Sequence, residues 1–330
     1  WTVDGEGKAM HKSLGNGVDP ADIFNKYGAD ILRLWAASAD YHADVRCSDA
    51  IFKQLSQNYL KFRNTARYCL GNLDGFDPNN LVAPADMLEL DRWAVTRLNA
   101  LIEKCAQAYN DYEFLVVTHA VNDFCVVELS NFYLDIIKDR LYCDETDGLA
   151  RRSAQTALYL ILDTITKIMA PILCFTGDEI WLAMPHKAGD DDRNVLFNDM
   201  NGVFADYALS ADEMAKWEKI IEVRDAVNGA LETARADKTI GKSLEAEVDL
   251  TVTPEDGFLA SMDAAQVADL FIVSQVRVDV DAEQKVAVRP ANGAKCARCW
   301  KVLPTVGSDS EHPDLCPRCA AVVKKLPVIE

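Results

Sequence analysis

The chain has 330 residues and a mass of 36.6 kDa, which corresponds to roughly two or three domains. Its 49% hydrophobic and 26% charged residues exclude disorder along the whole length. No run between charged residues is longer than ten positions, which is too short to cross a bilayer. The sequence also opens without a basic and apolar leader, so we expect a cytoplasmic protein with no membrane partner.

The charge is acidic in total but unevenly distributed. The net charge is -18, from 34 basic and 52 acidic residues. Residues 50–73 nevertheless contain four basic and no acidic side chains, and residues 285–325 contain eight basic against three acidic ones. Because local patches decide binding better than totals, two basic patches on an acidic body keep nucleic acid among the possible partners.

The first 47 residues are predicted to form a glycine-rich polar loop followed by two short helices. Asp19 is a typical N-cap residue and Pro20 is favoured at the first helical position. A second helical stretch follows closely at Ala29–Ser38.

Residues 48–185 are predicted to form a helix bundle. Four stretches repeat apolar residues at steps of three or four, which is the period of one buried helical face. Ser48 and Asp49 open the first helix, the third runs from about Val121 to Ile136, and Pro171 ends the fourth.

The period changes within residues 186–294. Ser210 and Glu213 form a capping box that opens a helix running to about Asp237. Apolar and polar residues then alternate, which predicts strands of a small α+β unit. These two strands are Ala246–Thr253 and Gln275–Asp281.

Four of the ten cysteines form two close pairs in the last segment, residues 295–330. Cys296 and Cys299 are separated by two residues, as are Cys316 and Cys319, and sixteen residues lie between the pairs. This spacing is typical of a structural zinc site, in which four thiolates close a tetrahedron and leave no open position. A disulfide or four unrelated thiols are the alternatives, and a reducing compartment disfavours the former.

Two surfaces are candidates for contact with nucleic acid. Tyr59, Arg63 and Arg67 are spaced by four and share one helical face, with Asn64 on an adjoining edge, so an aromatic ring and two guanidinium groups lie together. Trp300 stands beside the second cysteine of its pair among basic residues that offset the thiolate charge. The alternatives are arginines paired with neighbouring acids and a metal-stapled cap on the chain end.

Lys8 and Lys12 lie in the glycine-flanked loop at the start of the chain. Glycines permit a loop that opens and closes, and a lysine ammonium suits phosphate oxygens. If a triphosphate lay here, Lys12 would stabilise charge on the departing pyrophosphate. On composition alone, an exposed polar loop with incidental lysines is the simpler interpretation.

The segment Met10–Asn16 resembles the Lys-Met-Ser-Lys-Ser signature loop of class I aminoacyl-tRNA synthetases. Lys12 and Ser13 match the second half of the signature directly. Ala9 stands in place of the first lysine, and His11 in place of the first serine. The resemblance implies that Lys12 is catalytic and that magnesium accompanies ATP. The residues it implies for the ATP phosphates are Lys12, Ser13, Lys8 and His11.

The resemblance continues along nearly the whole chain. Several helical segments look like the anticodon-binding domain of these enzymes or its approach: Gly28–Arg33, Arg63–Arg67, Leu90–Trp93, Phe132–Arg140 and Met169–Leu173. The two cysteine pairs look like the zinc finger that bacterial isoleucyl-tRNA synthetases share with formamidopyrimidine-DNA glycosylases. The chain lacks the other parts of such an enzyme, including its nucleotide-binding and editing domains, and resembles its C-terminal portion.

This resemblance completes the expected organisation. The fold class is mainly α, with the end of a catalytic domain in residues 1–47, a helix-bundle anticodon-binding domain in 48–185, a helix and small α+β unit in 186–294, and a zinc-finger module in 295–330. It implies a monomeric isoleucine–tRNA ligase that uses tRNA, ATP and isoleucine, with one structural zinc, and a fragment inactive alone. The alternatives are a stand-alone tRNA-binding zinc module without catalysis, or the same part of a valyl, leucyl or methionyl enzyme.

Overall fold

The computed structural model describes residues 1–326, so the last four residues of the predicted zinc module, 327–330, lie outside the described part. The chain divides into two compact units. The first consists of Trp1–Asp135 with Arg152–Ala208, and the second of Ile136–Arg151 with the residues from Leu209 onward. Helices dominate, which confirms the predicted mainly α class.

The helices are, in chain order, α1 (Pro20–Tyr27), α2 (Ala29–Ala37), α3 (Asp49–Asn72), α4 (Glu89–Asn110), α5 (Phe114–Asp123), α6 (Leu134–Ile136), α7 (Lys138–Cys143), α8 (Leu149–Met169), α9 (Cys174–Ala183), α10 (Ala211–Ala236), α11 (Phe258–Ser261), α12 (Ala264–Phe271) and α13 (Pro317–Val323). The strands are β1 (Thr2–Val3), β2 (Val45–Arg46), β3 (Ala246–Val252), β4 (Gln275–Val280), β5 (Lys285–Pro290), β6 (Ala294–Lys295) and β7 (Val302–Leu303). Within residues 1–326, no helix is both long and apolar enough to span a membrane.

The core of the first unit is built around α8. Every residue from Ser153 to Met169 is buried, and Trp93 of α4 is buried as well. Asp91 of α4 is buried beside them and accepts hydrogen bonds from the Tyr133 hydroxyl at 2.8 Å and from Ser153 Oγ at 2.5 Å. A buried carboxylate therefore links the helices, because these donors compensate for its desolvation.

The third helix of the bundle differs from its prediction as one regular α-helix. α5 ends at Asp123, and Phe124–Tyr133 forms a π-helical segment before α6. A π turn holds an additional residue, and here the adjacent Phe132 and Tyr133 are both buried. The apolar residues spaced by three and four did not predict this π-helical segment. Tyr133, its last residue, contacts Asp91, which lies 42 positions away, and a local spacing pattern does not show such a contact.

α2 holds the turn between α8 and α9. The buried Asp30 carboxylate accepts hydrogen bonds from the backbone N–H of Thr176 at 2.8 Å and from its hydroxyl at 2.6 Å, at the start of α9. Arg33 donates to the carbonyls of Pro171 and Ile172, which follow the end of α8. These bonds satisfy backbone groups that helix termini leave unpaired, and α8 ends before Pro171 as predicted.

The second unit contains α10 and a three-stranded sheet in the order β4-β3-β5. Ser210 Oγ accepts from Glu213 N, and the Glu213 carboxylate accepts from Ser210 N, which confirms the capping box. Both predicted strands are present, as the central β3 and its parallel neighbour β4. The third strand, β5, pairs antiparallel with β3 and was not predicted, since its few valines alternate among charged residues in a short segment.

Candidate nucleic-acid interface and metal centre

The lysine-bearing loop, residues 4–16, is held in shape by Asp4 and Asn16. Asn16 Oδ1 accepts from His11 N at 2.9 Å, and Asn16 Nδ2 donates to Asp4 Oδ2 at 2.9 Å. Asp4 Oδ1 accepts from Lys8 N at 2.8 Å. These hydrogen bonds, of which the one from Asn16 has the largest effect, hold the pKa of Asp4 below its usual value. Met10 packs against the core beside α2 and α3, so the loop is anchored at its centre.

The two lysines of this loop differ in their surroundings. Lys12 and Ser13 lie on an exposed 3-10 turn, Lys12–Leu14, and His11 precedes it, also exposed. In the part of the chain that the structure describes, no acid lies within ion-pair distance of Lys12. Lys8 forms an ion pair with Glu6 at 2.7 Å. Lys12 is therefore the lysine whose charge is available to a phosphate.

One face of α3 carries basic side chains with no acidic neighbour in the sequence. Arg63, Asn64 and Arg67 are exposed, and among residues 1–326 neither arginine forms an ion pair or hydrogen bond. The alternative of arginines paired with neighbouring acids therefore finds no support in the described chain. Tyr59 is half-buried, packs against the core and shares a hydrogen bond with Thr176 Oγ1 at 3.0 Å, so its hydroxyl is engaged.

The four paired cysteines come together at one point in the second unit. Their sulfur atoms all lie within 4.8 Å of one another, and all four residues are buried. Cys299 Sγ and Cys316 Sγ are 3.9 Å apart, and every one of the ten cysteines is free of disulfides. Four buried sulfur donors at this separation fit one tetrahedral zinc ion and leave no position for a substrate.

The first cysteine pair sits in a tight knuckle between β6 and β7. Cys296 N donates to Lys301 O, and Trp300 N donates to Cys296 O. Trp300 has a left-handed φ of 66° and is 58% exposed. Burial opposes ionisation of Cys296, but backbone N–H groups of Cys299, Cys316 and Arg298 outweigh it and lower its pKa to about 6. The knuckle therefore favours the thiolate at Cys296, whereas burial raises the pKa of Cys299.

Gly293 allows the chain to enter this knuckle. Its φ is 122°, and a Cβ at this position would lie 2.2 Å from the backbone carbon of Leu303. No other residue type fits this close approach of two backbones.

The basic residues beside the cysteines are mostly occupied by partners in their own unit. Lys301 pairs with Asp269, Arg318 pairs with Asp139, and Arg298 donates to the carbonyl of Cys143. The sequence did not show these partners, which are 32 to 179 positions away. One signal was present: each arginine immediately precedes the second cysteine of its pair.

Three family models match the chain in chain order. Residues 1–48 match the class I tRNA synthetases (I, L, M and V), residues 91–250 match the anticodon-binding domain of tRNA ligase, and residues 293–322 match the zinc finger found in FPG and IleRS. The first match contains the lysine loop, and the third contains all four cysteines. The basic face of α3 lies between the first two matched ranges.

Curated relatives match almost the whole chain. Isoleucine–tRNA ligases from Syntrophotalea carbinolica, Geobacter sulfurreducens and Desulforamulus reducens are 47%, 46% and 48% identical to it over 336, 338 and 338 residues. Each alignment covers 98% of this chain and 36% of the relative.

The helical fold, the four-cysteine cluster and the ordered family matches together make the chain similar to the class I tRNA synthetases in three successive segments. It spans about a third of the length of the curated relatives it matches. Within that class it is similar to isoleucine–tRNA ligases over nearly its whole length, which confirms the resemblance stated from the sequence.

Proposed function

We propose that the chain is the tRNA-binding and zinc-binding part of an isoleucine–tRNA ligase. The parent enzyme would activate isoleucine with ATP and transfer it to tRNA. The family matches and the relatives' name support this reaction. We further propose that the parent is a cytoplasmic monomer, and the ten free cysteines support the reducing compartment.

The observation that carries tRNA binding is the unpaired basic face of α3. Arg63 and Arg67 are one helical turn apart and exposed, in a chain whose net charge is -18. Guanidinium groups without an acidic partner are free to bind phosphate, and releasing the counterions of the RNA favours the complex. Asn64 adds a polar group on the adjoining edge. Because Tyr59 is half-buried and packs against the core, we assign the RNA contact to these three residues.

The lysine loop is proposed to contact ATP. Lys12 is exposed and free of acids in the described chain, and Ser13 lies beside it on the same turn. An ammonium at this position would stabilise negative charge on the departing pyrophosphate, with magnesium on the phosphates. Lys8, held by Glu6, and His11, whose N–H is held by Asn16, are proposed to shape the loop.

The four cysteines are proposed to hold one structural zinc ion. Their sulfur atoms form a closed set of donors, so the ion would stabilise the fold and carry no reaction step. Trp300 is the large aromatic side chain that the knuckle exposes, and it is proposed to stack on an unpaired base of the tRNA.

The double variant Arg63→Ala/Arg67→Ala tests the tRNA contact. We expect binding of tRNA to weaken about tenfold or more at low salt, since two phosphate contacts are lost. The slope of log affinity against log salt should fall by about two. Filter binding across a salt series measures both quantities.

Arg193→Ala is the matched control, because Arg193 is exposed but paired with Asp191 at 2.6 Å. It removes a positive charge from the same unit without touching α3. If the control and the double variant bound tRNA equally well, the assignment of the interface to α3 would be wrong.

A further inference from the structure

The two arginines of the cysteine knuckles both contact α7, and Arg318 also contacts Asp144, the residue after it. Arg298 stands before Cys299, and its guanidinium donates to the carbonyl of Cys143 and, at 3.4 Å, to that of Tyr142. These carbonyls lie at the C-terminal end of α7, where side chains commonly donate hydrogen bonds to helix carbonyls. A cation at this terminus also interacts favourably with the helix dipole.

Arg318 stands before Cys319 and binds the carboxylates of the same segment. Its two terminal nitrogens donate to the two oxygens of Asp139, at 2.5 and 2.8 Å. Asp144 adds a third contact at 3.3 Å. This is the two-pronged geometry for which a guanidinium is suited and an ammonium is not. Both carboxylates are about one-fifth exposed, so water screens the contact only in part.

An apolar contact joins the same two elements. Cys143, the last residue of α7, is buried in one cluster with the four paired cysteines, Leu315 and Ala320. A further ion pair, Lys325 with Glu145 at 2.6 Å, flanks it. The cysteine cluster therefore packs on α7 directly, and the arginines close the two sides of this contact.

We infer that Arg298 and Arg318 are positioning residues that fasten the metal-loaded knuckles to α7 and so hold Trp300 in place. Each arginine is adjacent in the sequence to a cysteine of the cluster, so the metal determines the position of the arginine backbone. The contacts with α7 determine the position of its guanidinium group. Trp300 in turn is tied to the knuckle through its hydrogen bond to Cys296 O. The role in presenting Trp300 rests on the proposed function, whereas the docking onto α7 does not.

The first experiment uses the full chain loaded with zinc and follows amide hydrogen exchange in residues 138–145. In the wild type, removing zinc with a chelator should speed this exchange about tenfold or more, since the segment opens locally. Arg318→Met should retain one zinc per chain by native mass spectrometry, yet already exchange at nearly the chelated rate. Arg318→Lys keeps the positive charge but loses the two-pronged guanidinium. Its exchange rate should lie between those of the zinc-loaded wild type and Arg318→Met.

Lys295→Met is the matched control, because Lys295 lies beside Cys296 and its side chain makes no hydrogen bond or ion pair within the described residues. It should exchange like the wild type. If residues 138–145 exchanged at the same rate with and without zinc, or in Arg318→Met and wild type, the inferred docking would be wrong.

The second experiment measures tRNA affinity in a double-variant cycle. Trp300→Ala and Arg318→Met should each weaken binding, and the double variant should bind no more weakly than the weaker of the two, because both changes remove the same contact. If the two fold-losses of tRNA affinity multiplied in the double variant, Arg318 would contact RNA directly, and the positioning role would be wrong. If Trp300→Ala bound tRNA like the wild type while the amide exchange in residues 138–145 changed as expected, the docking onto α7 would be supported. The proposed contact of Trp300 with RNA would then be wrong.

Discussion

At the level of single residues, Asn16 shows how one side chain determines the shape of the lysine loop. Its amide reaches three partners, namely His11 N, Asp4 Oδ2 and the carbonyl of Ala9 at 3.1 Å. No regular helix or strand supplies these bonds, so an amide carrying both donor and acceptor replaces them. The exposed turn with Lys12 follows directly from this arrangement.

Asn16→Ala is expected to raise the pKa of Asp4 back toward its usual value, because the hydrogen bond that lowers it most is lost. A carboxyl whose pKa is lowered in the folded state stabilises the loop above the unfolded pKa and loses this effect as the pH falls through the folded pKa. The variant should therefore loosen its loop at higher pH than the wild type. An NMR titration of the Asp4 carboxyl measures the shift, and Asn64→Ala, on α3, should leave it unchanged.

At the level of the elements, α8 carries a buried ion pair that ties a loop to the bundle. Lys167 Nζ lies 2.9 Å from Asp163 Oδ1, one turn away, and 5.2 Å from the ring centre of Trp181 on α9. Asn201 Nδ2 donates to Asp163 Oδ2 at 2.6 Å. The two charged side chains are only 4% and 1% exposed, so each depends on the other for compensation.

Lys167→Met should lower the free energy of unfolding by about 3–5 kcal/mol, because it leaves the Asp163 carboxylate buried without its counter-charge. The double variant Lys167→Met/Asp163→Leu should recover much of this loss, since neither charge then remains. Urea unfolding measures both, with Lys104→Met on the exposed side of α4 as the control. A double variant less stable than Lys167→Met would contradict the ion-pair explanation.

At the level of the whole molecule, the charge distribution reconciles an acidic chain with the proposed RNA partner. The excess of acids is concentrated in segments such as residues 245–283, which hold ten acids and one base. The basic face of α3 contains no acid between residues 50 and 73. Because the total charge repels RNA while the patch attracts it, the proposed binding should depend steeply on salt.

The 330-residue chain is expected to bind tRNA and yet to form no isoleucyl-adenylate, because it spans only 36% of its relatives' length. ATP–pyrophosphate exchange with isoleucine should stay at background, while a full-length isoleucine–tRNA ligase assayed beside it should be active. Robust exchange by the chain alone would show that the reaction centre lies within these residues. Binding to tRNA measured on the same sample verifies that the protein is folded.

Features that depend on neighbours in the sequence were predictable. The capping box of Ser210 and Glu213, the start of α3 after Ser48 and the end of α8 before Pro171 all follow from local backbone chemistry. The spacing of the cysteine pairs likewise indicated a metal site, and the four sulfur atoms do cluster. The division into four segments and the individual RNA and ATP contacts stay predictions.

Features that depend on distant partners were not predictable from the sequence. The π-helical segment ends at Tyr133, whose partner Asp91 is on another helix, and the knuckle arginines meet α7 more than 150 positions away. The sequence by itself determined where α1, α3 and α10 begin, where α8 ends and which four thiols cluster, because caps, proline and short spacings act over a few residues. Only the tertiary structure decided that Arg298 and Arg318 face α7 while Arg63 and Arg67 face solvent, because a guanidinium takes whichever acceptor the folded chain brings to it.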